Sequence, residues 1–262
     1  MIDQLPLITV LALCLVAFAA GWVDSVVGGG GIIQMPALMI GLPVETPVAT
    51  IAGTNKIAAM AGTATAAATY LTKVRISWPT TIVTMLTAYG GSSLGSHLVQ
   101  YLPRTAFSPI IVVVVAVIGV YTWRKPQLGQ VTALKHVGTA HWLLAGLLGI
   151  VVGLWDGVVG PGTGVFFAIG FVVILGYGFL EATAMTKLAN LATNVAAIVV
   201  LGISGHILWA VGGCMAVCNL SGGFIGARMA IRLGNSFIRR VFLVAVVIVE
   251  AKLIYDTTLL FV

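Results

Sequence analysis

The chain has 262 residues, 60% of them hydrophobic and 8% charged, where an ordinary soluble domain carries about 25% charged residues. Its formal charge of +6 falls mostly in short connections, and no basic stripe is interleaved with aromatics, which excludes a nucleic-acid surface. The composition therefore predicts an all-α polytopic membrane protein whose basic residues carry topology.

Apolar runs occupy residues 5–27, 48–71, 82–102, 110–123, 142–159, 165–176, 188–203, 211–231 and 241–255. Several approach or exceed the ~20 residues that span hydrocarbon. Met1-Ile2-Asp3-Gln4 lacks the positive region of a signal peptide, so the first run is expected in the mature fold. It ends in Gly21-Trp22-Val23-Asp24-Ser25-Val26-Val27-Gly28-Gly29-Gly30-Gly31. The pattern recurs 132 residues later as Gly153-Leu154-Trp155-Asp156-Gly157-Val158-Val159-Gly160-Pro161-Gly162. Ile76-Ser77-Trp78 and Gly91–Gly95 likewise return as Ile207-Leu208-Trp209 and Gly222–Gly226.

The chain thus divides into a first membrane repeat, 1–123, a polar linker, 124–138, and a second repeat, 139–262. If the short segment after each glycine motif crosses, each half has five spans and the halves are inverted. Lys73, Arg75, Arg124, Lys125, Lys135, Arg232, Arg239 and Arg240 then share one side and only Arg104 lies opposite. The parallel alternative splits the charges almost evenly. The positive-inside rule favours inverted repeats, with a cytoplasmic linker and both termini outside. Because the short segments can be bent or only partly spanning, eight to ten crossings are expected.

Each glycine run breaks its helix, and the next segment restarts with unpaired N–H groups and a partial positive charge. Two such ends meeting near the midplane would make an anion site; close packing through small residues is the alternative. Asp24 and Asp156 are the acids deep within apolar segments. They can couple a proton, since a desolvated carboxylate titrates nearer neutral pH, or they can fix the loops and pair with lysine. Lys56 and Lys187, 131 residues apart, can bind an anion, pair with Asp24 or Asp156, or snorkel to the interface. Lys187, Asn190 and Asn194 recur at helical spacing on one face, with Thr186 and Thr193 close to it, and Thr54, Asn55 and Thr63 form the weaker first-half counterpart. Cys14, Cys214 and Cys218 lie in apolar runs and read as packed thiols, and the scattered histidines show no metal-ligand spacing. No nucleophile–base constellation or ATP-binding motif is present, so neither an enzyme nor a cofactor is expected.

Asp24 through Gly31, then Met35-Pro36-Ala37-Leu38, Gly41-Leu42-Pro43 and Ala52-Gly53-Thr54-Asn55-Lys56, resembles the sulfite exporter TauE/SafE family, also called the toluene sulfonate uptake permease family. The second copy, Asp156 through Gly164 with Thr186-Lys187, fits less strictly, with Pro161 where the first has Gly29. The resemblance implies an inner-membrane secondary transporter, exporter or permease, of sulfite, organosulfonates or related anions.

The expected substrate-binding set combines that implication with the glycine breaks: Gly29, Gly30, Gly31, Ile32, Thr54, Asn55, Lys56, Gly162, Thr163, Gly164, Thr186, Lys187, Asn190 and Asn194. Asp24 and Asp156 are the coupling or structural carboxylates. The expected partners are a small anion and the lipid bilayer, with a homodimer left open. The rival readings are an anion channel and a membrane sulfur-relay protein using Cys214 and Cys218.

Overall fold

The structure, a computed structural model, describes residues 6–101 and 131–260. The apolar run 110–123 and linker residues 124–130 lie outside the described residues. Helices account for the regular structure of the described residues. They are α1 (Leu7–Val27), α2 (Gly30–Gly41), α3 (Val48–Leu71), α4 (Trp78–Leu98), α5 (Thr139–Val158), α6 (Thr163–Ile169), α7 (Phe179–Ile203) and α8 (Trp209–Leu260). A wide π-helical turn, Gly170–Leu175, extends α6. α8 contains a break at Gly234, whose φ of 70° is not helical, so it joins two helical pieces.

Local chemistry sets these limits. α1 and α3 start directly after Pro6 and Pro47, whose fixed φ suits a helix entry. Pro79 stands in the first turn of α4, where its missing N–H has no intrahelical role. α1 ends at Gly28, which takes the left-handed conformation at φ 88° while its N–H closes on the Asp24 carbonyl at 2.7 Å.

Among the described residues, four stretches are long and apolar enough to cross a membrane: Leu7–Val27, Thr139–Val158, Phe179–Ile203 and Trp209–Ile238. α3 and α4 have comparable lengths, 24 and 21 residues, but carry many threonines. Most of those hydroxyls are satisfied within the helix, while Thr50, Thr63 and Thr80 bond to residues of other segments. Thr54, Thr65, Thr69, Thr81, Thr84 and Thr87 each donate to the carbonyl four residues back. This back-bonding leaves little polarity for a neighbouring phase to solvate.

Each short segment turns back on the helix before it. Gly30 lies against Ala20 and Asp24, and Gly41 against Thr9 and Leu13, so α2 runs antiparallel to α1. In the second half Gly170 meets Leu148, and Tyr177 meets His141 with ring centroids 6.1 Å apart, so α6 and its π turn return along α5. α3 then runs parallel to α1, joined to it by Thr63–Asp24 at 3.3 Å and Tyr70–Ser25 at 2.9 Å.

The halves interlock. α4 lies along α5 in parallel, with Thr84 near Ala145, Ala88 against Gly153 and Ser92 against Gly157. α1 lies along α8 in the same manner, with Phe18 against Gly222 and Trp22 against Gly226. The glycines that recur at 91–95 and 222–226 are therefore close-approach positions between the halves. Since α4 reverses the direction of α3, α5 enters from the end opposite to α1.

One end of the bundle gathers the connections bearing Lys73, Arg75 and Lys135, together with Arg228, Arg232 and the Gly234 break. The other holds Pro6, the 42–47 turn and the 204–208 turn, where His206 meets Thr50 at 3.1 Å. In a cysteine-less background, Thr72→Cys and Ser236→Cys should react with an impermeant maleimide from one side of the membrane and Glu45→Cys from the other. Labelling of positions 72 and 236 from opposite sides would contradict this arrangement.

Candidate functional site

The two glycine motifs meet inside the bundle. Gly28 and Gly164 are in backbone contact, leaving no room at either for a Cβ, and Gly31 faces Pro161. Trp155 ties the second break down by donating its indole N–H to the Pro161 carbonyl at 3.1 Å, and Thr163 donates its hydroxyl to the Gly160 carbonyl at 2.6 Å. Gly160 and Gly162 both have positive φ, 82° and 84°, so this loop needs glycine on either side of Pro161.

Two ion pairs flank this contact, and both join one half to the other. Lys56 on α3 reaches Asp156 on α5, Nζ to Oδ2 at 2.6 Å, with both side chains almost fully buried. Lys187 on α7 reaches Asp24 on α1 at 3.2 Å and also donates to the Asp24 backbone carbonyl. Lys56 is the ninth residue of α3 and Lys187 the ninth of α7, so each ammonium leaves its helix about 12 Å from the start. Asp24 also accepts from Thr63 at 3.3 Å, and Asp156 from Ser92 at 3.4 Å. Gly160 lies beside the Lys56 ammonium. Hence the lysines do not snorkel, and the carboxylates are held in place.

The expected N–H cradle is only partly free. The Ile32 N–H donates to the Gly29 carbonyl at 3.0 Å, and the Thr163 N–H to the Gly160 carbonyl at 3.4 Å. Gly29 caps α2, and Gly30 and Gly31 open it, with no preceding turn to accept their N–H groups. Gly164 is in the first turn of α6 and spends its face on Gly28. Thr54 is engaged in holding the fold, donating to the Thr50 carbonyl at 2.7 Å and accepting the Leu208 N–H at 3.0 Å. Asn190 accepts from Thr193 through both its carbonyl and its side chain.

Three expected residues carry buried side-chain atoms without a partner among the described residues: Asn55 Oδ1, Thr186 Oγ1 and Asn194 Nδ2. Asn55 and Thr186 directly precede the paired lysines, 131 residues apart. Buried polar groups are normally hydrogen-bonded, so these atoms, two of them on the residues preceding the paired lysines, keep unused bonding capacity inside the bundle.

Several participants carry no charge and were not singled out from the sequence. Gln34 on α2 accepts from Asn219 of α8 at 2.7 Å and donates to the Asn55 carbonyl at 3.3 Å. Ser92 bridges Asp156 and the Thr193 carbonyl. Ser96 and Thr183 are buried with hydroxyls that have no partner among the described residues. Their signal is an amide or hydroxyl within an apolar segment, faint beside the many threonines that bond locally. Cys214 and Cys218 lie on α8, away from the breaks, with Cys218 beside Cys14 of α1. Among the described residues, no group of three or more His, Cys, Asp or Glu side chains could hold a metal ion.

The family model for the sulfite exporter TauE/SafE matches residues 13–253. Among curated proteins, the chain is 34% identical over 243 residues to a probable membrane transporter protein, ORF9, of Sinorhizobium sp, covering 92% of this chain and 91% of that one. It is 32% identical over 244 residues to the probable membrane transporter protein YfcA of Escherichia coli K12, covering 92% and 88%. It is also 32% identical over 242 residues to a probable membrane transporter protein of Haemophilus influenzae, covering 92% of each. No solved structure matches. With the match running through both glycine motifs and both lysine–aspartate pairs, the chain is a membrane transporter and belongs to the sulfite exporter TauE/SafE family.

Proposed function

We propose that the protein is an ion-coupled secondary transporter of small sulfur-containing anions such as sulfite or organosulfonates, built from two inverted repeats and seated in the inner membrane. The observation that carries this reading is the pair of crossed lysine–aspartate contacts beside touching glycine breaks. The opposed entry of α1 and α5 supports the inverted arrangement. The basic end of the bundle supports a cytoplasmic linker with the N-terminus outside. The proposed substrate contacts are the N–H groups of Gly29, Gly30 and Gly31, the side chains of Asn55, Thr186 and Asn194, and the two lysines once released from their carboxylates. Thr54, Ile32, Thr163, Gly162, Gly164 and Asn190 shape the site.

Charge balance gives the coupling. Two lysines and two aspartates sum to zero, the least costly state for a buried cluster. An entering monoanion competes with Asp24 for Lys187, or with Asp156 for Lys56, and leaves one negative charge in excess. A proton taken by the displaced carboxylate restores neutrality, so anion and proton cross together. The same competition separates contacts between the halves, which frees one half to move against the other.

The discriminating experiment is uptake by proteoliposomes offered sulfite, sulfate, sulfoacetate, taurine and a carboxylate, with and without a pH gradient. Saturable uptake of one sulfur anion, accelerated by the proton gradient and unaltered by Cys214→Ala/Cys218→Ala, is expected. Unitary currents without counterflow would instead identify a channel. Loss of activity in the cysteine variant would identify a sulfur relay.

A further inference from the structure

α3 and α8 touch backbone to backbone at Gly62 and Gly223. Toward the basic end of the bundle a groove of about 440 Å³ separates them. Its floor is apolar, formed by Ala68, Phe224 and Ile231, and Lys73, Arg228 and Arg232 line it with charge. Arg228 and Arg232 are four residues apart on α8, one helical turn, and so share a face. The Arg228 guanidinium lies over the Phe224 ring, 4.0 Å from its centroid.

None of these three cations has a carboxylate partner among the described residues, since the ion pairs there are the two at the glycine breaks. The groove's threonines do not compete as donors. Thr65, Thr69 and Thr72 spend their hydroxyl hydrogens on the carbonyls of Ala61, Thr65 and Thr69. Three unneutralised cations therefore crown an apolar floor between two helices at the end of a membrane bundle.

We propose that this groove is a binding site for an anionic phospholipid, its phosphate held by Lys73, Arg228 and Arg232 and an acyl chain lying on Ala68, Phe224 and Ile231. Charge complementarity selects an anionic headgroup, and guanidinium groups suit phosphate because they offer paired donors. The apolar floor selects an amphiphile over a soluble anion, which would leave that floor uncovered. The site is separate from the glycine breaks and does not depend on what is transported.

The test reconstitutes the full chain in nanodiscs of equal parts phosphatidylglycerol and phosphatidylcholine, and measures by native mass spectrometry the lipids that remain on the protein after detergent extraction. Retention of phosphatidylglycerol over phosphatidylcholine by at least fivefold is expected. Lys73→Gln/Arg228→Gln/Arg232→Gln should lower that ratio to near one. Ala68→Trp, at an exposed position, fills the floor with the charges intact and should lower it as well. Arg240→Gln, outside the groove, should leave it unchanged. Equal retention by the wild type and the triple variant would overturn the proposal. So would loss of the retained lipid to millimolar inorganic phosphate with no effect of Ala68→Trp, which would assign the cations to a soluble anion.

Discussion

Asp156→Ala should destabilise the protein by about 3–5 kcal/mol, the cost of leaving one member of a buried ion pair uncompensated. The Lys56 ammonium would then stand almost fully buried, with Gly160 beside it and no counter-charge. Lys56→Met/Asp156→Leu should recover most of that loss, because well-packed apolar residues replace buried pairs at little cost. Denaturant unfolding in mild detergent measures both. A single variant within about 0.5 kcal/mol of wild type, the level of a neutral surface change, would mean that the pair is solvated and the site open.

The second large effect is expected at the contact between the breaks. Gly28 combines a φ of 88° with the Gly164 backbone where a Cβ would go. Gly28→Ala therefore adds left-handed strain of about 1–2 kcal/mol to overpacking of about 1–3 kcal/mol. Gly205 also has positive φ, 75°, but open space around it, so Gly205→Ala should cost the strain alone. The expected result is a sharp drop in monodisperse yield and melting temperature for Gly28→Ala and a small one for Gly205→Ala. Equal behaviour of the two variants would mean that the breaks do not touch.

The residues that organise the centre were legible in the sequence because they break its rule. Four ionisable groups and two glycine runs in apolar surroundings have few innocent explanations. Pairing with an aspartate was among the readings the sequence left open, but it did not say which aspartate each lysine takes. Lys56 seeks Asp156 and Lys187 seeks Asp24, each about a hundred residues or more away, and only the interlocking of α4 with α5 and α1 with α8 selects those partners. From sequence, the same lysines could as well have bound substrate unaided or reached the interface.

The N–H cradle is smaller than the glycine runs suggest. A glycine run frees the backbone, but Ile32 and Thr163 spend that freedom on tight turns of their own. Gln34, Ser92 and Asn219 escaped notice because an uncharged polar side chain in an apolar run is common, and its use is decided by what another helix brings opposite. Most threonines of α3 and α4 show the reverse: Thr65, Thr69, Thr81 and Thr87 depress the apolar character of two long helices while donating to carbonyls of their own helix.

Sulfite uptake by proteoliposomes containing Asp24→Asn/Lys187→Gln tests the central claim most directly. The double variant removes one positive and one negative charge together, so the cluster stays balanced and the fold is preserved. If the anion competes for the lysine and the carboxylate takes the proton, both uptake driven by a proton gradient and anion exchange should fall at least a hundredfold in a protein that remains monodisperse. Uptake at the wild-type rate would contradict the account and reduce the crossed pair to a fastening between the halves.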